Sequence, residues 1–279
     1  MSHLQIAEVL QTVHKIPSLP MVIMELLASI NQEDTDIDAL GTKIEQDQAL
    51  TAKTLRLANS SFYGMAHQIT TAHQAISILG FRTIRCLATT AGLIAALPAG
   101  ANTSFDPMAF WRHGIAAAVC ARELAANIDC EAENAYTAAL LHDIGRLVLA
   151  TQFPVHFSAA LAYQAEQGCS LIEAESEMLG LDHTAVGHAL TRHWNFPSAL
   201  QDAIALHHTP RLAHEDTLTT VVRAANLLAH GLMDAQEDAH ASLAMAALAR
   251  DIGIESDQWE TTRQQITTSF EGVVGVLSL

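Results

Sequence analysis

Apolar residues recur at helical spacing along most of the chain, and this pattern restricts the fold to helices packed against one another. A helix that begins near Pro20, for example, carries Ile23, Leu27 and Ile30 on one side. Alanine and leucine dominate the hydrophobic residues, whereas β-branched runs and alternating strand patterns are scarce. Because alanine and leucine favour helices, the sequence predicts an all-α protein. Its 279 residues are enough for one large or two ordinary domains.

Capping signals mark several predicted helix ends. Asp106 followed by Pro107 indicates a helix start. Ser170 with Glu173 has the pattern of a capping box, and Asp182 precedes another run of helical spacing. With apolar spacing, these signals predict helices over residues 20–30, 37–44, 47–58, 71–79, 81–96, 106–126, 132–153, 170–180, 182–194, 197–208 and 217–229, and further helices after residue 240.

The sequence LPAGANTS at residues 97–104 is the clearest predicted linker, because it is small and rich in proline and glycine. We therefore predict a helical subdomain over residues 1–100 and a second helical unit over residues 101–279. Neither a repeat nor a low-complexity segment interrupts either half.

The formal net charge of -16 and the lack of any lysine or arginine cluster disfavour direct binding to nucleic acid. No apolar run is long enough to span a membrane, and the first residues do not resemble a signal peptide. We expect a cytoplasmic protein with free thiols, because no CxxC pair is formed by Cys86, Cys120, Cys130 and Cys169.

Adjacent polar residues, His142 and Asp143, lie inside an otherwise apolar run that extends from Ala138 to Ala150. A buried carboxylate without a partner is too costly to keep, so this pair needs a counterpart. A divalent cation would accept both side chains. A purely structural hydrogen bond between the histidine and the aspartate is the alternative.

Other polar residues in apolar helical contexts change the balance between these two interpretations. Five of the predicted helices carry them, and the candidates are His113, His142, Asp143, His183, His207, His208 and Asn226. In a helical bundle, inward-facing residues of this kind converge to form metal sites. Imidazoles with one carboxylate suit iron, manganese, zinc or nickel better than magnesium or calcium. Such an ion lowers the pKa of a bound water and supports hydrolysis of phosphate esters.

Some of these histidines also have simpler explanations. His183 directly follows the cap Asp182, so it fits a first-turn residue with a surface hydrogen bond. His207 and His208 end a predicted helix, where a cation is favoured by the helix dipole, and capping alone accounts for one of the two. The remaining histidines show no partner pattern, and Asn59 fits a helix C-cap.

The order of the candidate ligands resembles the HD superfamily of metal-dependent phosphohydrolases. That pattern has a first histidine, matched by His113, then the pair His142–Asp143, and finally an aspartate. Here the final position is Asn226, a poorer ligand that brings no charge.

The later histidines, His183, His207 and His208, resemble the additional ones of the HD-GYP branch, which cleaves cyclic di-GMP. The Gly-Tyr-Pro signature of that branch is missing, and Thr209–Pro210 follows instead. Both departures weaken the prediction of catalysis.

A second resemblance covers more of the chain, roughly residues 10–212. The matching segments are similar to the HDOD domain (HD-related output domain), and they are IPSLP (16–20), DQALTAK (47–53), LRLANSSFYG (55–64), AISILG (75–80), WRH (111–113), LLHDIGRL (140–147), LGLDHTAVGHAL (179–190) and HWNFP (193–197). A match of so many segments in the same order is specific for this family. The resemblance implies an N-terminal helical subdomain packed on an HD-like multi-helix core.

HDOD modules occur in bacterial signal transduction, often fused to receiver, GGDEF or EAL domains. The resemblance therefore implies a regulatory output module that acts through a signalling protein partner or a ligand, with a divalent transition metal as a possible cofactor. The alternative is a phosphohydrolase acting on a nucleotide or cyclic dinucleotide, in which Asp143 would bridge two metals or orient water. A response-regulator output is a third reading, although the chain shows no receiver domain of its own.

Overall fold

The structure is a computed structural model that describes residues 3–16, 19, 21–28, 37–46, 48–59, 68–80, 84, 88–90, 92–94, 104–210, 216–233 and 253–277. Within these ranges all regular secondary structure is helical, which confirms the all-α prediction. None of the described helices is both long and apolar enough to cross a membrane.

Fourteen helices are described along the chain. The N-terminal ones are α1 (Ile6–Val13), α2 (Met21–Ala28), α3 (Ile37–Gln46), α4 (Gln48–Ala58) and α5 (Ala72–Leu79). The others are α6 (Pro107–Ala125), α7 (Ala132–Leu141), α8 (Ile144–Gln152), α9 (Pro154–Gln167), α10 (Leu171–Leu179), α11 (His183–His193), α12 (Ser198–Leu206), α13 (Thr217–Met233) and α14 (Ser256–Leu277). The predicted helix over residues 81–96 is helical at its described positions, which are 84, 88–90 and 92–94.

The predicted helix caps near the site are confirmed. The Asp106 side chain accepts hydrogen bonds from the backbone at the start of α6. Ser170 and Glu173 form the reciprocal capping box of α10, which ends at Gly180 in the left-handed conformation (φ 77°). Asp182 caps α11 in the same way as Asp106 caps α6. These caps fix the ends of helices that lead directly into the histidine-rich region.

The prediction of one continuous helix through His142 and Asp143 is wrong, because these two residues form a turn between α7 and α8. The His142 ring explains the break. Its Nδ1 donates to the carbonyl oxygen of Ala139 at 2.6 Å, and a continuing α-helix would need that oxygen for the backbone N–H of Asp143. The chain therefore turns at the pair and directs both side chains into the interior.

Helix α6 packs against α7, α13 and α14. Every residue from Gly114 to Ala121 is buried, and most of them are small. Small side chains let several helices approach α6 closely, so the residues of α6 that face inward lie near residues from its neighbours. His113 immediately precedes this stretch.

Helices α8 and α11 approach each other even more closely at Gly145. A Cβ atom at this position would collide with the backbone carbonyl of His183 and would lie 2.7 Å from the backbone nitrogen of Gly187. Only glycine therefore allows the start of α8 to rest on the first turn of α11. This contact brings Asp143 and His183, which lie at the starts of these helices, to the same place.

The N-terminal residues and the C-terminal helix both contact the central helices. The backbone N–H of Leu4 donates to the carbonyl of Leu179 at 2.8 Å, and the rings of His14 and His193 stack with centroids 5.1 Å apart. Helix α14 packs on α6 and also contacts α4. The division at residue 100 stays a prediction, and the predicted linker lies outside the described residues except for Ser104.

Candidate metal centre

Asp143 is the residue on which the buried histidines converge. Its Oδ1 atom lies 3.3 Å from Nε2 of His183 and 3.6 Å from Nε2 of His207. Its Oδ2 atom lies 3.6 Å from Nε2 of His142 and 4.0 Å from Nε2 of His113. All five side chains are buried. One carboxylate is thus surrounded by four imidazoles that come from different parts of the sequence.

The structure brings every sequence-predicted candidate to this place. His113 belongs to α6, His183 begins α11, and Asn226 belongs to α13. His207 and His208 directly follow α12, and His208 is the exposed member of the set. Two groups have ligand atoms within 4.8 Å of one another and share Asp143; they are Asp143 with His183, His207 and His208, and Asp143 with His113 and His142.

Hydrogen bonds to the Nδ1 atoms orient three of the rings. His142 Nδ1 donates to the Ala139 carbonyl at 2.6 Å, and His207 Nδ1 donates to the Ile204 carbonyl at 2.8 Å. His183 Nδ1 donates to the buried carboxylate of Glu175 at 2.6 Å. A histidine fixed through Nδ1 presents Nε2 to the centre, which is the usual arrangement of metal-binding histidines.

The Nε2 atoms of His183 and His207 are both buried without a hydrogen-bond partner. Both face the Asp143 carboxylate, and in the neutral ring of His207 this brings a lone pair and a negative charge together inside a dry interior. Such an arrangement is unfavourable unless a positive charge lies between them. The donor set of imidazoles and one carboxylate fits a divalent transition metal.

The pKa values of the site residues reflect their burial and the charges around them. Burial lowers the pKa of His113 to about 3 and that of His142 to about 4, and it also lowers the pKa of His207. Burial raises the pKa of Asp143, but His142 and Arg146 outweigh it, so this pKa lies well below its usual value. These three imidazoles are therefore neutral and the carboxylate is ionised at neutral pH.

His183 behaves differently from the other histidines. Burial lowers its pKa, but the carboxylates of Asp143 and Glu175 outweigh this effect and raise the pKa to about 9. Without a metal, a proton on His183 supplies the positive charge that the two carboxylates need. A bound cation would replace that proton.

Three of the simpler explanations can now be compared with the structure. The interpretation of His183 as a surface residue is wrong, because only 2% of it is exposed and its ring binds Glu175. Capping does account for part of the role of His207. Its Nδ1 donates to a carbonyl in the last turn of α12, while its Nε2 faces Asp143. The capping interpretation of Asn59 also holds, since its side chain donates to the Leu55 carbonyl.

Three further residues belong to the site and were missed from the sequence. Glu175 lies on the same side of α10 as Ala174 and Met178, so an acidic residue on an apolar face was the available signal. Arg146 Nη1 donates to Asp143 Oδ2 at 2.6 Å. His230 is one helical turn beyond Asn226, and its ring centroid lies 4.5 Å from that of His113.

The HDOD domain family matches residues 16–210, which is more than half of the chain. The chain therefore belongs to the HDOD family. The extent of the match agrees with the resemblance found in the sequence, and the all-helical fold agrees with it as well.

Individual relatives give the same assignment at the level of fold. A candidate phosphohydrolase from Shewanella amazonensis has a crystal structure similar to this one, with 28% identity, a TM-score of 0.77 and coverage of 95% of this chain and 97% of that chain. The MmoQ response regulator from Methylococcus capsulatus is 27% identical, with a TM-score of 0.52 and coverage of 88% and 98%.

An uncharacterised protein from Treponema pallidum is 26% identical over 270 residues, which are 95% of this chain. The same alignment covers 52% of the Treponema protein, so the chain spans about half the length of this curated relative.

Proposed function

We propose that this chain is a regulatory signalling module of the HDOD type that binds a divalent transition metal ion at the histidine centre. Membership of the HDOD family supports a signalling role. So does the similarity to a response regulator. The output would pass through contacts with a signalling protein partner rather than nucleic acid, because the net charge is -16 and the sequence has no lysine or arginine cluster.

One observation carries the metal proposal. His207 Nε2 belongs to a neutral, buried ring, lacks a hydrogen-bond partner, and lies 3.6 Å from the ionised oxygen of Asp143. The residues available to hold an ion are Asp143, His113, His142, His183, His207 and His208. When bound, the metal would supply a Lewis acid that lowers the pKa of a coordinated water. The protein itself orients the rings through their Nδ1 atoms.

The ligands also connect separate helices, which suits a regulatory role. Asp143 precedes α8, His183 begins α11, and His207 ends α12. Binding an ion between them would stabilise their mutual arrangement, because a ligand that binds only the folded arrangement shifts the equilibrium toward it. The metal would therefore act on the relative positions of these helices.

Elemental analysis of untagged protein, purified without chelator, tests this proposal. We expect stoichiometric iron, manganese, zinc or nickel in the wild type and loss of the metal in His183→Ala. His188→Ala is the matched control, since it changes a histidine of the same helix that lies outside both ligand groups. Wild-type protein that stays free of metal after reconstitution would refute the proposal.

A metal-dependent phosphohydrolase acting on a nucleotide or cyclic dinucleotide is the second candidate. It is favoured by the two oxygens of Asp143, which face different histidine groups as a bridging carboxylate would. The similarity to a candidate phosphohydrolase also favours it. Against it stands Asn226, which supplies no charge where the HD pattern has an aspartate.

The substitution Asn226→Asp tests this second candidate directly. If the site is a phosphohydrolase centre that has lost one ligand, the change should raise metal affinity and permit turnover of nucleotide or cyclic dinucleotide substrates. Equal metal content in variant and wild type, with no product from either, would contradict it. Catalysis by the wild type itself would instead favour the enzyme over the regulatory module.

A further inference from the structure

We propose that the centre holds one metal ion rather than two, bound by Asp143 Oδ1, His183, His207 and His208. The other side of Asp143, which faces His113 and His142, is closed to an ion by Arg146 and Asn226. We call the first group the open half and the second group, His113 with His142 and Asn226, the closed half. This inference rests on the proposed metal binding and specifies where it takes place.

Arg146 already provides a positive charge on the closed side. Its Nη1 donates to Asp143 Oδ2 at 2.6 Å, and this is the oxygen that faces His113 and His142. A charge-assisted hydrogen bond of this length satisfies the carboxylate oxygen. A divalent ion beside the same oxygen would be repelled by the guanidinium in an environment where charges are poorly screened.

The polar atoms of the closed half also satisfy one another. His142 uses Nδ1 as a donor to Ala139, so its Nε2 accepts. His113 Nε2 lies 3.3 Å from that atom and 3.0 Å from Asn226 Oδ1, and it can donate to both. A metal at His113 Nε2 would have to displace a proton that two acceptors hold in place. Asn226 is neutral, so it adds no negative charge that would favour a metal ion over this proton.

The open half has the opposite character. His183 Nε2 and His207 Nε2 are the two imidazole nitrogens among the described residues that are buried without a hydrogen-bond partner. His208 adds a third ring that is exposed and gives an ion access from solvent. Glu175 places a second carboxylate 2.6 Å from His183 Nδ1, so two negative charges surround this half. The favourable electrostatics for a cation are thus confined to one side of Asp143.

The metal stoichiometry tests this inference first. We expect one equivalent per chain in the wild type after reconstitution with excess zinc or manganese and removal of unbound ion. Two equivalents would overturn the inference while leaving the proposed metal binding intact. A complete lack of metal would instead refute the proposed function itself, so the two failures are distinguishable.

A matched pair of substitutions locates the ion. His207→Gln in the open half should weaken metal binding at least tenfold, measured by titration calorimetry. His113→Gln in the closed half should leave the affinity within about threefold of wild type. Thermal melting of the metal-free proteins controls for folding. The inference fails if His113→Gln loses the ion as readily as His207→Gln does.

An independent test measures the gain of a second metal ion rather than the loss of the first. Replacing Arg146 with methionine and Asn226 with aspartate removes the positive charge from the closed half and adds a carboxylate. We expect the double variant, Arg146→Met with Asn226→Asp, to bind a second equivalent. If the folded double variant still binds only one ion, Arg146 and Asn226 do not close that half, and the inference is wrong in this respect.

Discussion

At the scale of single residues, the buried carboxylate of Glu175, which accepts from the ring of His183, decides how strongly the open half attracts a cation. Glu175 is fully buried, and its Oε2 accepts from both the backbone N–H and the ring Nδ1 of His183. Two hydrogen bonds to one oxygen fix the ring and its tautomer. The charge of Glu175 also makes His183 a more basic ligand.

The substitution Glu175→Gln should therefore weaken metal binding by roughly 10- to 100-fold. The amide keeps the size of the side chain but removes the charge that faces His183. Titration with zinc or manganese measures the effect. Glu177→Gln, on the exposed side of the same helix, is the control and should change the affinity by less than about twofold. Equal affinities for both variants would show that Glu175 does not support the site.

Gly145 makes a second residue-scale prediction. Gly145→Ala should destabilise the fold by at least about 3 kcal/mol, because the new Cβ collides with backbone atoms of α11 that cannot move aside easily. Chemical denaturation measures the loss. Gly168→Ala is the control, since a Cβ there meets nothing within 4 Å and costs only the strain of its left-handed backbone, about 1 kcal/mol. Comparable losses would contradict the close contact of α8 with α11.

The ligand candidates could be predicted from the sequence, whereas the residues that support them could not. His113, His142 and His183 stand out because each interrupts an apolar helical pattern. Arg146 looks like an ordinary charged residue of an amphipathic helix, and the position of Glu175 on an apolar face does not reveal what it contacts. Their roles depend on which way α8 and α10 turn relative to α11, and this is set by tertiary packing rather than by local pattern.

At the scale of elements, a single side chain connects the end of α4 to the segment that leads into α5. Asn59 Nδ2 donates to the Leu55 and Ile69 carbonyls, and Asn59 Oδ1 accepts from the backbone N–H of Ile69. The contacts with Ile69, at 2.7 Å and 2.6 Å, are reciprocal, as in a short β-ladder. Asn59 is thus more than the helix cap that its position suggested.

Replacing Asn59 with aspartate separates these roles. Asn59→Asp keeps an acceptor for the Ile69 N–H but loses the donor to two carbonyls, so we expect a loss of roughly 1–3 kcal/mol of stability. Hydrogen exchange should show faster opening of α5 than of α6. Gln68→Glu, a comparable amide-to-acid change at an exposed position, is the control. Unchanged exchange at α5 would show that Asn59 does not hold this connection.

Helix positions were predicted well where caps and glycines give local signals, as for α6, α10 and α11. The break at His142–Asp143 was missed because it has no glycine or proline before the turn. It depends instead on the hydrogen bond that the His142 ring donates to the Ala139 carbonyl, and residue types alone do not reveal such a contact. The predicted linker, apart from Ser104, lies outside the described residues and stays a prediction.

At the scale of the whole molecule, the first helix connects the N-terminal residues to the core that contains the histidine centre. Val9 and Val13 are fully buried on the inner side of α1, and α1 packs against α11. Leu4 pairs with the last residue of α10 through its backbone. Helices α10 and α11 carry Glu175 and His183, so the N-terminal segment rests on the elements that form the open half.

The double variant Val9→Ala with Val13→Ala tests whether this segment contributes to the core. Removing the buried methyl groups should cost roughly 2–5 kcal/mol in total, measured by chemical denaturation in a single cooperative transition. Ile6→Ala with Leu10→Ala changes the exposed side of the same helix and is the matched control. The docking of α1 on the core would be contradicted by a double variant as stable as its control.

The close contact at Gly145 also has a consequence for protein design. Copying only the ligand side chains onto another helical scaffold would leave α8 and α11 too far apart, since any residue with a Cβ at this position holds them away from each other. A transplanted centre would therefore have to include the glycine and the turn before it as one unit. Engineering the proposed metal preference of this centre should accordingly begin with His208, the exposed member of the candidate ligands.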